Sequence, residues 1–428
     1  MRNRTFLVCG LVMAITIVTS LPPTYAGGQE EAVEKAEVIL WMHEDPLADE
    51  AFEQIAKDFN QSQNNWKVVV EVQPGGLGDY YTKVQMALAS GRGPDIFHSE
   101  INALPNWIEN NWVQSTPESL VKWIEDNAAV GVVKDAMYHE GVAYGVPYGG
   151  DWQVLFYRRD FFEDAGISYP PKTWDDLVSA AKKLTKYDAN GNVVRSGWYV
   201  RKSGYAKGIT DKWQVFYYLF GGEMFNEDEK RTLVNTKPGY QAAQLYYDAV
   251  NVWKVDSFDV EGDFGGLGKG TTSMVFRESF ALGYLAENFP NLDYSTAPVP
   301  KYQGYTTSVA SGDLLMVSSL GNNPKGAWEF AEYFISDEPH LKYCTITNKL
   351  PQYEFATRQP AFANSELHQA WFNQENIRTQ TVIYRSEEIL SIIGEYVEKI
   401  TRGAVPVKQG MDMAAEEVNK ILAEIAKR

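Results

Sequence analysis

Apolar positions along the chain alternate between strand-like runs and helical stripes. Residues 37–42 form an apolar run of strand length. Residues 47–60 follow with Phe52, Ile55 and Phe59 at helical spacing, and residues 66–72 are β-branched and strand-like. After the glycine-rich loop 75–78, residues 80–90 carry Tyr80, Val84 and Ala87 on one helical face. Residues 94–98 then read as a short strand. The alternation resumes with a buried-type strand over 153–157. Thr173 caps a helix, with Asp176 three residues on and Leu177, Ala180, Ala181 and Leu184 as its stripe. Residues 188–191 form a turn. Further helices are predicted over 238–253, 324–335, 386–401 and 411–427, the second with Pro324 in its first turn. Strands alternating with helices of this length imply crossover units, a mostly parallel sheet and an α/β fold.

The first 26 residues break this pattern. Arg2 and Arg4 precede an apolar run over 6–18, which is shorter than the roughly 20 residues a spanning helix needs. Pro22 and Pro23 then precede Thr24-Tyr25-Ala26, which reads as a secretory signal cut after Ala26. Residues 27–36 form an acidic linker. Cys9 sits inside the apolar run and is poorly placed for lipid attachment. Cleavage leaves Cys344 as the only cysteine, so an exported, disulfide-free protein must rely on its core. No later segment has 18 uninterrupted apolar residues, so the expectation is a soluble periplasmic or cell-envelope protein.

Length and charge narrow the classes. At 428 residues, two or three domains are expected. A formal charge of −17 argues against nucleic acid, which demands a basic surface, and against an anionic membrane surface. Aromatic residues make up 13% of the chain, which poses a choice between core filling and a binding surface.

Most chemical signatures fail on spacing. His43, His98, His139, His340 and His368 show no metal-ligand pattern. The segment 188–199 lacks the glycine and final glutamate of a calcium loop, and 265–270 has the wrong spacing for a phosphate loop. No nucleophile elbow occurs, and no cofactor is implied. The doublets Tyr80-Tyr81, Tyr217-Tyr218 and Tyr246-Tyr247 raise iron binding, but adjacent tyrosines on a helix point in different directions. What remains is a set of polar and aromatic residues at strand ends: His43 and Glu44; Ser99 and Glu100; and Tyr148, Asp151 and Trp152 around two glycines. In open α/β sheets ligands bind at such ends. Carboxylates beside aromatic planes suit a sugar, whose hydroxyls pair with the former and whose C–H face stacks on the latter. Each aromatic taken singly reads as core packing.

Several ordered segments together resemble one family. Residues 83–97 read KVQMALASGRGPDIF. Tyr144-Gly145-Val146-Pro147 precedes residues 155–162, and Ala165-Gly166-Ile167 precedes Pro170-Pro171-Lys172-Thr173-Trp174-Asp175-Asp176-Leu177, the most specific stretch. Gly221-Gly222-Glu223-Met224-Phe225, Ala297-Pro298-Val299-Pro300-Lys301, Ser311-Gly312-Asp313, residues 323–330 and Arg402-Gly403 follow. In this order they resemble the extracellular solute-binding proteins of bacterial ABC-type sugar importers, the maltose-binding-protein-like group. The resemblance implies two discontinuous α/β lobes, 37–149 with 308–355 and 150–307 with 356–428. Crossings fall near 148–152, 306–310 and 353–357, with a ligand cleft between the lobes. It implies a monomer that closes around a carbohydrate and delivers it to permease subunits, with no catalysis. It carries ligand-binding roles onto Trp41, His43, Glu44, Asp79, Tyr80, Ser99, Glu100, Tyr148, Asp151, Trp152, Trp213, Gly222, Glu223, Arg277, Ser279, Gly312, Asp313, Tyr384 and Arg385. Residues 277–280 read Arg-Glu-Ser-Phe where the family often has Gly-Trp. Arg277, Asp313 and Arg385 suit a polar, modified or acidic sugar. Alternatives are the same fold holding a polyol, sugar phosphate or peptide, and an exported carbohydrate-active enzyme.

Overall fold

Alternation along the first strand sets the architecture. In Ala36–His43, Val38, Leu40 and Met42 are buried while the residues between them are not. The computed structural model describes residues 35–129, 131–135 and 137–427, so the signal and most of the linker expected from the sequence lie outside the described residues.

Nine strands carry the two main sheets: β1 (Ala36–His43), β2 (Trp66–Gln73), β3 (Ile96–Glu100), β4 (Val146–Trp152), β5 (Val154–Arg158), β6 (Met274–Arg277), β7 (Tyr294–Ala297), β8 (Ser308–Val317) and β9 (Ile377–Thr379). The larger sheet runs β9-β8-β3-β1-β2, with β4 on the other edge of β8. Its β1–β2, β1–β3 and β8–β9 pairs are parallel, but β8 runs antiparallel to β3 and β4. The smaller sheet, β6-β5-β7, is antiparallel throughout. The mostly parallel sheet expected from the sequence therefore holds for the first crossover units and the β8–β9 pair of the larger sheet, and not for the smaller sheet. Alternation of strands and helices predicts neighbours but not strand direction once long excursions intervene.

Three apolar cores organise the packing. The first joins β1–β3 to the helices Pro46–Ser62, Leu77–Ala89, Pro324–Ile335 and Asp337–Thr347. The second is largely helical, with Trp174–Leu184, Ala206–Leu219, Lys237–Tyr247, Ser386–Thr401 and Val407–Ile425 around β5 and β6. A third, smaller core gathers Trp152, Phe156, Leu282 and Trp371. Two of these strands pass from the first core to the others. Tyr148 of β4 lies in the first and Trp152 in the third; Leu314–Val317 of β8 lie in the first and Val309 in the second. The fold is thus two α/β lobes joined by crossing strands.

Local chemistry explains where elements start. Thr173 and Asp176 form a reciprocal capping box on Trp174–Leu184, as their spacing predicts. The strand expected at 94–98 begins only at Ile96, because the Asp95 carboxylate accepts the backbone N–H groups of Ile39 at 2.8 Å and Asn323 at 2.7 Å. The helix expected over 238–253 runs from Lys237 to Tyr247 and then widens to π geometry over Asp248–Val252. The last helix starts four residues earlier than predicted, at Val407 after Pro406. Ala206–Leu219 has no counterpart in the predicted elements: every residue from Lys207 to Leu219 except Asp211 is buried, so it presents no polar face. It can pack this deeply because Gly394 of the neighbouring helix has no side chain. A Cβ there would lie 1.9 Å from the Ala206 carbonyl oxygen.

Candidate functional site

The crossing strands place carboxylates on one sheet face. Asp313 of β8 stands opposite Glu100 of β3 on one side and Gly149 of β4 on the other, while Ser311 stands opposite Asp151. Directly opposed residues share a face, and so do alternate residues of a strand. Glu100, Asp313, Ser311 and Asp151 therefore face the same way. An irregularity in the β4–β8 register at Asp313/Leu314 leaves Tyr148 unpaired in the ladder. Its ring enters the first core beside Phe52 and Phe334, and its hydroxyl meets His98 Nδ1 at 2.6 Å. Gly149 is required here: a Cβ would lie 2.7 Å from Asp313 Oδ2.

Above this face lies a cavity of about 300 Å³ whose walls come from both lobes. His43, Asp45, His98, Glu100 and Lys349 come from the first. The buried helix Ala206–Leu219 supplies Lys207, Asp211 and Lys212 from the second, and Arg201, Arg277 and Glu278 complete that wall. Lys207 Nζ lies 2.8 Å from Glu100 and 3.2 Å from Asp211, which ties the lobes across the cavity. Lys212 pairs with Glu278, and Arg277 lies 3.2 Å from Asp263. Lys349 follows the left-handed residue Asn348 at the end of Asp337–Thr347 and reaches Asp45 at 3.3 Å.

Burial and neighbouring charge set the proton affinities. Burial raises Glu100 to about 6, against the pull of Lys207. Burial and then Glu278 raise Asp151 to about 7, even though the Ser279 backbone N–H donates to it. Burial also raises Asp313. Glu278 is buried too, but Lys212 and Arg277 outweigh that and hold it near 2. Burial and then Lys349 lower His43 to about 4, while burial and then His43 lower His98, so both imidazoles are neutral at pH 7. Their rings stand 4.6 Å apart, and His43 Nδ1 and His98 Nε2 are buried without a hydrogen-bond partner among the described residues. Among those residues no group of three His, Cys, Asp or Glu is arranged to hold a metal ion.

The family described as bacterial extracellular solute-binding protein matches residues 45–340, more than half the chain. The chain belongs to that family. This solute-binding protein is 22% identical over 387 residues to the arabinooligosaccharide-binding protein of Halalkalibacterium halodurans, covering 85% of this chain and 82% of the relative. It is 21% identical over 448 residues to the sn-glycerol-3-phosphate-binding periplasmic protein of Rhizobium meliloti, covering 94% and 98%. Its fold matches a solute-binding protein of an ABC transporter from Thermotoga lettingae, bound with α-D-tagatose. The TM-score is 0.79 at 24% identity, over 91% of this chain and all of that one. The family is one of extracellular binding proteins, and among the described residues no helix is long and apolar enough to cross a membrane.

Of the residues singled out in the sequence of this solute-binding protein, His43, Glu100, Asp151, Arg277 and Asp313 line the cavity. Tyr80, Tyr148 and Ser279 stand behind it. The Tyr80 hydroxyl donates to the His98 carbonyl at 2.9 Å, and Ser279 holds Asp151. Gly312 pairs with Gly150 in the ladder, and Ser99 accepts the Trp107 indole N–H at 2.7 Å. The others lie outside the lining. Trp41 donates to Glu71 at 2.7 Å, the Glu44 carboxylate accepts the Gly75 N–H at 3.3 Å, and Asp79 packs beside Gly75. Trp152 is a core residue whose carbonyl accepts the Trp371 indole, and Trp213 stacks on Tyr217 at 4.7 Å in the second core. Gly222 makes room for the Tyr217 ring, while Glu223 pairs with Arg378. Tyr384 and Arg385 border a separate cleft, where Arg385 is held by Glu388 and Glu424.

The expected stacking surface is not found there: no tryptophan lines the cavity, and Tyr205 and Phe280 are its only Tyr or Phe among the described residues. Much of the aromatic excess fills the cores, where Trp107, Trp198, Trp213 and Trp371 are fully buried. Reading by strand ends missed Lys207, Asp211, Lys212 and Lys349, which sit on helices or just past one. The available signal was the i,i+4 pair Lys207–Asp211 in an otherwise aromatic segment.

Proposed function

We propose that this cavity binds a small carbohydrate and that the lobes close on it before it is handed to the permease of an ABC importer. The observation that carries this is the cavity itself, walled from both lobes and bridged by Lys207–Glu100 at 2.8 Å. A solute held there touches both walls, so only the closed form gains every contact, and binding selects closure. About 300 Å³ is at the lower end of ligand cavities, which span roughly 300–1,000 Å³, and suits one or two sugar rings. Alternating carboxylates and ammonium groups pair hydroxyls, and Tyr205 or Phe280 supplies a face for the ring. The names of the relatives that bind arabinooligosaccharide and tagatose support this reading.

In this reading the protein is an exported monomer, cleaved near Ala26, with no catalytic step. Its lobes comprise 37–149 with 308–355 and 150–307 with 356–428. A phosphate ligand, as in the glycerol-phosphate relative, fits less well, because Lys207, Lys212, Arg277 and Lys349 already face carboxylates within ion-pair distance. Calorimetric titration with neutral, amino and acidic mono- and disaccharides tests the proposal. Saturable binding that is lost in Lys207→Met supports it. Silence from every sugar, with binding of glycerol phosphate or a peptide, overturns it.

A further inference from the structure

The ladder that floors the cavity carries more carboxylate than the surrounding cations satisfy. Glu100 and Asp313 are directly opposed across β3 and β8, an arrangement that costs stability unless a cation intervenes. Asp151 shares their face one pair further along. Lys207 is already shared between Glu100 and Asp211, and Lys349 is engaged by Asp45. Among the described residues neither Asp151 nor Asp313 has a cation within 4 Å. A second observation is independent of the carboxylates. Gln153 and Gln380 line the same cavity, 2% and 4% exposed, and both spend their amide N–H on Asp211, at 2.9 Å to its carbonyl and 2.6 Å to its carboxylate. Their Oε1 atoms are buried without a partner. Beside the unpartnered Nε donors of Arg201 and Arg277, the cavity therefore offers open acceptors of two kinds. No three acidic or imidazole groups among the described residues can hold a metal ion, so a compact divalent cation does not match them.

We infer that the solute carries an ammonium group, as an amino sugar does, and that this group sits over the face shared by Asp313 and Asp151. This rests on the carbohydrate reading above and specifies the ligand class of that site. An ammonium brings three donors and no acceptor. It supplies the positive charge the ladder lacks, while the hydroxyls of the same molecule meet the amide oxygens and the imidazole nitrogens. Burial raises the proton affinities of Asp151 and Asp313, with Glu278 adding to it for Asp151 and Lys349 and Lys207 pulling against it for Asp313.

The test uses the full mature protein at pH 7, where a 2-amino sugar is mostly ammonium, and calorimetry with three matched sets: glucosamine, galactosamine and mannosamine; the corresponding hexoses; and the corresponding N-acetyl sugars; together with their β-1,4 disaccharides where these exist. The expected result is that an amino sugar binds at least about tenfold more tightly than both its neutral counterparts, as a charged hydrogen bond predicts. In Asp313→Asn that preference collapses toward unity. Asp151→Asn provides a second variant on the same face, and circular dichroism shows that each is folded. Neutral sugars binding as well as or better than amino sugars overturns the inference and leaves the carbohydrate reading standing. A preference that survives both substitutions also overturns it. Silence from every amino sugar overturns it whether or not neutral sugars bind, and silence from all three sets counts against the carbohydrate reading as well.

Discussion

Asp151 shows how one side chain can link stability to function. It is buried, accepts the Ser279 N–H and lies beside Glu278, and its carboxyl is raised to about 7. Between its ordinary value of 3.8 and about 7 the folded state binds the extra proton, so this residue lowers ligand-free stability as pH rises through that window. Asparagine keeps an acceptor for Ser279 without the charge. Asp151→Asn should therefore match the parent near pH 4 and exceed it by about 4 kcal/mol at pH 8 in urea unfolding. An equal offset at both pH values would show that the carboxylate's charge is not the cause. Cys344 is a simpler case. Burial pushes its thiol well above the ordinary range, and its sulfur lies 3.4 Å from His340 Nε2. It should resist a thiol reagent in the native protein and react fully after denaturation. Fast native labelling would mean that this part of the first core opens.

At the scale of elements, what could be read from the chain depended on whether an element has a wet face. Trp174–Leu184 was legible to its cap, because Thr173 and Asp176 sit on the surface and its apolar stripe alternates with lysines. Ala206–Leu219, which carries four cavity residues, was invisible: its buried face includes Lys207, Lys212 and Gln214, polar groups turned inward toward ion pairs and the Thr381 hydroxyl. A periodicity argument treats an inward lysine as an outward one. The packing of this helix is therefore worth testing directly. Gly394→Ala puts a Cβ against the Ala206 carbonyl and within 3.0 Å of Thr210 Oγ1, which donates to the Leu390 carbonyl. The helices must separate, at a cost of about 3 kcal/mol in thermal or urea unfolding. Because the same helix positions Lys207, Asp211 and Lys212, ligand affinity should fall together with stability. A variant with lost stability but unchanged affinity would show that the helix start adjusts without moving the site.

For the whole molecule, the question is what favours closure before the solute arrives. The crossing strands β4 and β8 fall where the family resemblance implied that the chain changes lobe, near 148–152 and 306–310. The latch across them was not, because Lys207 and Glu100 are 107 residues apart in sequence. Lys207 is buried in that ion pair and Glu100 partly so, and removing one charge strands the other. Glu100→Gln keeps a hydrogen-bond partner for Lys207 but halves the carboxylate count around it, leaving Asp211 as the remaining counter-charge. The closed form should then be less populated without ligand, and the apparent dissociation constant should rise in proportion to that loss. Small-angle scattering should give a larger radius of gyration for ligand-free Glu100→Gln than for the parent, with the two converging at saturating ligand. High salt should change the parent little, since the pair is shielded from solvent. If the ligand-free radii are equal while affinity still falls, Glu100 acts by touching the solute and not by holding the lobes. If the radii differ even at saturation, the pair is part of the closed interface that the solute alone does not restore.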